Sequence, residues 1–355
     1  MENITFSQIE RKDLPLYEEV KAKGKDYVSY GKDNLFPQYI WDLYLRSAVL
    51  QSIVNGTGDY VIGEKMLYNS MLEPNARSIN KEGEYLDDVI KQITSDYLIF
   101  GGFAIQIMFN KMGGVAELYA LDFQRIRVNE DLTKVYYSDS WGKWGTKALE
   151  YDIFDGKSRK GTSIFYFKGH ITRGVYPIPK YNGALAAVET STEISKFHLN
   201  NILNNFAASA VISFNNGVPE EDVKKEIEKD IKNKFSGSEN AGRFILSFNQ
   251  SKENATTIER LSSDDFDKKF EALQKSTTKD IFIAWRATPA LFGLNPENNG
   301  FSKQEFLEAF ELYNKTMVSP IQDDLTRCFD KIYQTEKSIT FVPFKLETEE
   351  ANNEL

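Results

Sequence analysis

The chain has 355 residues, 41% hydrophobic and 13% aromatic, enough apolar material for a packed core or for two or three modules. Its net charge of −9 argues against a surface that grips duplex DNA by neutralising phosphates, and its one cysteine, Cys328, excludes an intrachain disulfide framework. The first residues carry no basic segment followed by an apolar run, and no apolar run approaches the ~18 residues of a membrane span, so a cytoplasmic product is expected.

Residues 1–36 are polar and charged, and read as an N-terminal arm or loosely packed leader. Ile40, Leu43, Tyr44, Val49, Leu50 and Ile53 have helical spacing, which predicts a helix over 38–54. Gly56, Gly58 and Gly63 then punctuate NGTGDYVIG as turn and short strand, and their spacing is not that of a dinucleotide fingerprint. A second helix is expected over 84–100, from Leu86, Val89, Ile90, Ile93, Tyr97 and Leu98, with Gly101 and Gly102 ending it. Residues 103–170 alternate as strands with polar breaks. Helices followed by strands favour an α+β class over a doubly wound sheet.

No catalytic, cofactor or metal site emerges. GKSRKGTS at 156–163 lacks the lysine that a phosphate-binding loop places after its second glycine, and reads as a hairpin turn. The two histidines, His170 and His198, have no ligand partners at metal spacing. The carboxylates fall mostly on helix faces as solvated charge.

Residues 177–183, PIPKYNG, form an extended linker closed by a glycine. A helix follows over about 184–208, with Val188, Ile194, Phe197, Leu199, Ile202, Leu203 and Phe206 on an apolar stripe and uncharged Thr, Ser and Asn opposite. Such a face suits contact with other helices or a wetted wall. A strand at 210–214, an amphipathic helix at 219–235 and a strand at 243–248 make a β-α-β unit between two long helices. The second of these helices carries Phe266, Phe270, Leu273, Ile281 and Trp285, and Thr288-Pro289 should stop it. A loop rich in Asn and Gly follows. Ser302 and Glu305 then form a capping-box signal for a helix of roughly 45 Å, with Pro320 a candidate kink.

The order of these parts resembles the portal proteins of tailed double-stranded DNA phages. The phrase Ile283-Ala284-Trp285-Arg286-Ala287-Thr288-Pro289-Ala290-Leu291-Phe292-Gly293 is similar to the I-A-x-x-x-x-P-x-L-x-G of that family. Phe310, Val318-Ser319-Pro320-Ile321 and Leu325 fit the helix that follows, and LDFQRIRV at 121–128 looks like a family strand. The resemblance covers about three-quarters of the chain, and Trp285-Arg286 is bulkier than the family pattern.

It implies a non-enzymatic ring of about twelve subunits at one capsid vertex. Residues 37–182 would be the outer wing, 183–208 and 263–287 the stem, 209–262 the clip, 288–302 the tunnel loop, 303–335 a long wing or tunnel helix, and 336–355 a terminal strand and tail with little or no crown. Asn295, Glu297, Asn298 and Asn299 would line the channel. Glu220, Glu221 and Asp222 would dock the packaging motor, and Phe197, Ile202, Phe206, Phe270 and Trp285 would pack the stem. The implied partners are the terminase large subunit, head-completion or connector proteins, the major capsid protein, and duplex DNA passing without sequence specificity. The implied location is the virion, with host cytoplasm during assembly. Two other classes stay open from the residues alone: a carboxylate-dependent hydrolase, and a cellular scaffold protein.

Overall fold

The structure, a computed structural model, describes residues 15, 17–21, 24–143, 145–169, 173–203, 210–214, 222–223, 225, 244–248, 263–294 and 303–344. Two compact units are present, Met1–Val188 with Lys279–Leu355, and Glu189–Thr278. Both boundaries fall within helices.

The first unit opens with a two-residue ribbon, β1 (Glu19–Val20) against β2 (Ser29–Tyr30). This part of the leader is not loosely packed. Val28, Tyr30 and Phe36 are buried, and the Tyr30 ring stacks on Tyr176 at 4.1 Å. Tyr30 donates its hydroxyl proton to the Pro177 carbonyl, and Tyr176 donates to that of Val28. The many charges of 1–36 conceal two aromatic anchors, Tyr30 and Phe36, and the partners of Tyr30 lie far along the chain.

Helix α1 (Phe36–Arg46) buries Phe36, Ile40 and Leu43, a spacing of four and three that makes one apolar face. Ser47 ends it and caps α2 (Ala48–Ile62), accepting from the Leu50 N–H at 3.2 Å. The segment read as turn and short strand is therefore helix, and Gly56 and Gly58 lie inside it. Gly63 closes α2 at φ 68°, where a Cβ would sit 2.2 Å from the Val342 carbonyl oxygen. That approach is part of the antiparallel pairing of β3 (Lys65–Tyr68) with the last strand, residues 339–342.

Helix α3 (Leu86–Phe100) is buried along Leu86, Val89, Ile90, Ile93 and Tyr97, and the left-handed Gly101 ends it as expected. Strand β4 (Gly102–Phe109) is the centre of an antiparallel sheet, between β5 (Val115–Leu121) and a strand at 162–168. Its residues are buried on both faces, with α3 on one of them. A second antiparallel sheet orders β6 (Ile126–Val128), β7 (Lys134–Tyr137) and β8 (Leu149–Asp152). The strand at 162–168 is β9 (Thr162–Lys168). Since β8 and β9 belong to different sheets, 156–161 is a crossing loop and not a hairpin turn.

Helix α4 (Leu185–Leu203) runs on from the linker. In the second unit β10 (Ala210–Phe214) and β11 (Phe244–Phe248) pair in parallel, Ala210 opposite Phe244, as a β-α-β connection requires. The helix expected at 219–235 lies almost wholly outside the described residues. Helix α5 spans Ser263–Ala284.

Back in the first unit, α6 (Lys303–Tyr313) passes through a π-helical turn, Asn314–Val318, into α7 (Ser319–Tyr333). Pro320 explains the wide turn. A proline ring clashes with the carbonyl four residues back, here that of Thr316, and the π turn opens that space. β12 (Ile339–Val342) completes the unit against β3.

Candidate functional site

Among the twelve residues implied as site residues, Asn295, Glu297, Asn298, Asn299, Glu220, Glu221 and Phe206 lie outside the described residues. Asp222 is exposed. Ile202 is on α4. The others are placed as follows.

In the second unit, Phe197 on α4 meets Phe270 on α5, ring centroids 4.7 Å apart, and His198 meets the same ring at 5.8 Å. Phe197 nevertheless stays 42% exposed, so this pair leaves apolar surface uncovered. Ser191 and Thr192, on the uncharged polar face of α4, are buried. Ser195 and Thr192 donate to carbonyls of their own helix, at Ser191 and Glu189. That chemistry allows a close neighbour where lysine or glutamate would resist one.

Trp285 has a different setting from the stem pairing implied for it. It follows the end of α5, is fully buried in the first unit, and stacks on Tyr181 at 5.3 Å and 18°. Tyr181 in turn donates to the Ile99 carbonyl at 2.9 Å, which fastens the linker to the end of α3. Helix α5 stops before Pro289 is reached. Ala287 N–H bonds the Phe282 carbonyl and Arg286 N–H that of Ile283, both at 3.0 Å, with Arg286 left-handed at φ 52°. These are the two bonds of a Schellman cap, with arginine where glycine is usual. Pro289 instead starts a 3-10 turn, Pro289–Phe292, closed by the left-handed Gly293.

That turn and α6 flank residues 295–302. Both are fixed to α2. Tyr60 donates to the Leu291 carbonyl at 2.7 Å, and the Thr57 and Tyr313 hydroxyls meet at 2.7 Å. Phe292 packs among Tyr60, Phe282 and Tyr313 with centroids 5.8–6.1 Å apart, and Tyr60 touches Phe310 at 5.4 Å. Gly56 makes room: a Cβ there would sit 2.9 Å from Cδ1 of Phe292. Sequence reasoning missed Gly56, Thr57 and Tyr60 because it read their segment as a turn. The usable signal was their spacing, which puts Gly56 and Tyr60 on one helical face.

Nothing in the described residues assembles a reactive centre. No group of three or more His, Cys, Asp or Glu side chains there could hold a metal ion. Cys328 is buried, and burial pushes its thiol well above the usual range, which disfavours the nucleophilic thiolate. An open recess of about 720 Å³ is lined by charges of both signs, Lys25, Asp26, Asp33, Lys143 and Glu150, without a nucleophile–base pair.

The fold matches those of solved particle components. A chain in the virion of a native gene transfer agent particle aligns with a TM-score of 0.58 and 16% identity, over 89% of this chain and 86% of that one. A chain in the neck of the native particle, computed with C12 symmetry, gives 0.54 and 15%, over 84% and 81%. An HK97-family phage portal protein from Corynebacterium diphtheriae gives 0.51 and 12%, over 85% and 95%. In sequence, an uncharacterized protein of Rickettsia bellii (strain RML369-C) is 23% identical over 350 residues, 96% of this chain and 85% of that protein. The family described as phage portal protein matches residues 83–350. This is a mixed α and β architecture of a structural class, not an enzymatic one. The chain belongs to the phage portal protein family.

Proposed function

We propose that copies of this chain close a ring, of twelve subunits, around a channel through which duplex DNA enters and leaves a capsid. The family match over 83–350 carries the reading. The C12 symmetry used for the particle neck that contains a similar chain supports the subunit number. Association of copies is favoured by uncovered apolar side chains, Phe197, Leu199 and Leu273 in the second unit and Ile283 and Leu312 in the first, which a neighbouring copy would cover.

In this reading α4 and α5 form the stem, 209–262 the clip, 288–302 the tunnel loop and 37–182 the wing. The turn Pro289–Phe292 and α6, which flank 295–302, are both fastened to α2, which suits a channel constriction. An acidic chain lets DNA slide where a basic lining would hold it. Glu220, Glu221 and Asp222 would dock the terminase large subunit and later the head-completion proteins, and the outer wing would meet the major capsid protein. The subunit would gather in host cytoplasm and end at the portal vertex of the virion.

Two variants test the assignment in a packaging assay with assembled particles. Deleting 295–299 should leave rings intact and cut packaged or retained DNA severalfold; full packaging would remove the tunnel-loop role. Reversing charge at Glu220, Glu221 and Asp222 should weaken terminase binding, chiefly by slowing association and changing its salt dependence, and spare ring assembly. Equal terminase binding would remove the docking role.

A further inference from the structure

A cationic surface stands out against the acidic chain. Three segments converge there: the turn 110–114 between β4 and β5, the loop 155–161, and the last turn of α7. Phe109 N–H bonds the Gly161 carbonyl at 2.8 Å. Arg159 joins all three, donating from Nε to the Gly113 carbonyl at 2.6 Å and from Nη1 to that of Ile332 at 2.8 Å, with its guanidinium 4.8 Å from the Phe109 ring centre. Gln334 donates to the Gly156 carbonyl at 3.3 Å. The loops are thus held on a fixed base.

Around Arg159 stand Lys111, Lys157, Lys160 and Lys331, all exposed. Lys111, Lys157 and Lys160 make no ion pair among the described residues. Two carboxylates stand nearby and stay charged, fewer than the five cations: Asp155 accepts from the Lys157 and Ser158 N–H groups at 2.7 and 2.8 Å, and Asp330 from those of Ser338 and Lys337 at 2.7 and 3.2 Å. Beside the lysines, at the tip of the first turn, Met112 is 96% exposed.

We propose that this surface docks an acidic polypeptide segment of a partner protein, one carrying an apolar side chain among its carboxylates. A long polyanion such as DNA fits less well. It would run beyond the patch onto a chain whose net charge is −9, and exposed charges act over only about 8 Å at physiological salt. Met112 offers contact that a phosphate backbone does not use, whereas a leucine or phenylalanine of a peptide would cover it. The surface is independent of the loop and clip assignments, so it stands or falls separately from them.

The test uses the full chain and two probes: a labelled short peptide of glutamates interrupted by leucines, and a short mixed-sequence DNA duplex. The peptide should bind, and K111Q/K157Q/K160Q should weaken it roughly tenfold, the joint effect of three exposed ion pairs. Methionine replaced in M112S should weaken the peptide alone, by roughly threefold, for the loss of one apolar contact. Substituting exposed lysines elsewhere, K32Q/K65Q/K91Q, should change nothing. No peptide binding by the unaltered chain overturns the proposal. So does equal weakening by the control set, or tighter binding of the duplex than of the peptide through the same lysines.

Discussion

Arg127→Ala should lower the stability of the first unit by about 3–5 kcal/mol, in the range found when one member of a buried charged network is removed. Arg127 is on β6 and is fully buried, yet it makes no ion pair among the described residues. Carbonyl and amide oxygens replace a carboxylate. Nε donates to Asn34 Oδ1 at 2.6 Å, Nη2 to the Asn34 carbonyl at 2.5 Å, and Nη1 to the Ile126 and Gln124 carbonyls at 2.6 and 3.0 Å. The guanidinium also lies 5.0 Å from the Trp141 ring centre and 5.9 Å from that of Tyr30. Burial pulls its pKa down to about 10, so it remains a cation at neutral pH. Alanine would remove four donated hydrogen bonds, leave Asn34 Oδ1 and the Gln124 carbonyl with only the Tyr30 N–H and Gln38 Nε2 as donors, and open a cavity between two aromatic rings. Asn34 holds its left-handed turn, φ 64°, partly through this contact, so the packed leader would loosen with it. Arg127→Lys keeps the charge but not the fork of donors, and should recover less than half of the loss. Urea unfolding followed through tryptophan fluorescence measures all three proteins. A loss below about 1 kcal/mol for the alanine variant would mean the network contributes no more than an ordinary surface contact.

Gly56→Leu should destabilise the same unit by about 1–3 kcal/mol, the usual cost of forcing atoms into a filled core. The nearest atoms are Cδ1 and Cε1 of Phe292, at 2.9 and 3.0 Å from a Cβ. Phe292 has little room to retreat, with Tyr60, Phe282 and Tyr313 around it. Gly58 provides the internal control. It lies in the same helix, but its Cβ would meet only Leu98 Cδ1, at 3.7 Å, an ordinary contact. Gly58→Ala should therefore stabilise by about 0.4–1 kcal/mol through helix propensity and the restricted unfolded chain. Opposite signs at the two glycines, measured by thermal unfolding, would show that Gly56 is there for Phe292. Equal gains at both would show that Phe292 is not seated against α2.

The sequence exposed those parts of the fold where local pattern and tertiary setting agree. Helix α3 has an unbroken apolar face and a glycine stop, and β4 is an apolar run between two flanking strands. The strands at 210–214 and 244–248 were likewise visible, and β10 and β11 pair in parallel. Three features were hidden for definite reasons. Helix α2 carries glycines that weaken the local signal, and Gly56 is explained only by Phe292, distant in sequence. The cap at Arg286 puts arginine in a conformation that sequence rules assign to glycine, so Pro289 drew the boundary. The leader looked solvated because Tyr30 and Phe36 are surrounded by lysines, while the Tyr176 ring that covers Tyr30 comes much later. The residues proposed for the channel and for docking were named from resemblance alone.

Electron microscopy of the purified full chain, and of particles containing it, examines ring closure directly. Closed rings with a central hole, twelvefold on averaging and present at one vertex of each particle, are the expected result. A monodisperse monomer at every concentration, together with particles that show no such ring, would contradict it.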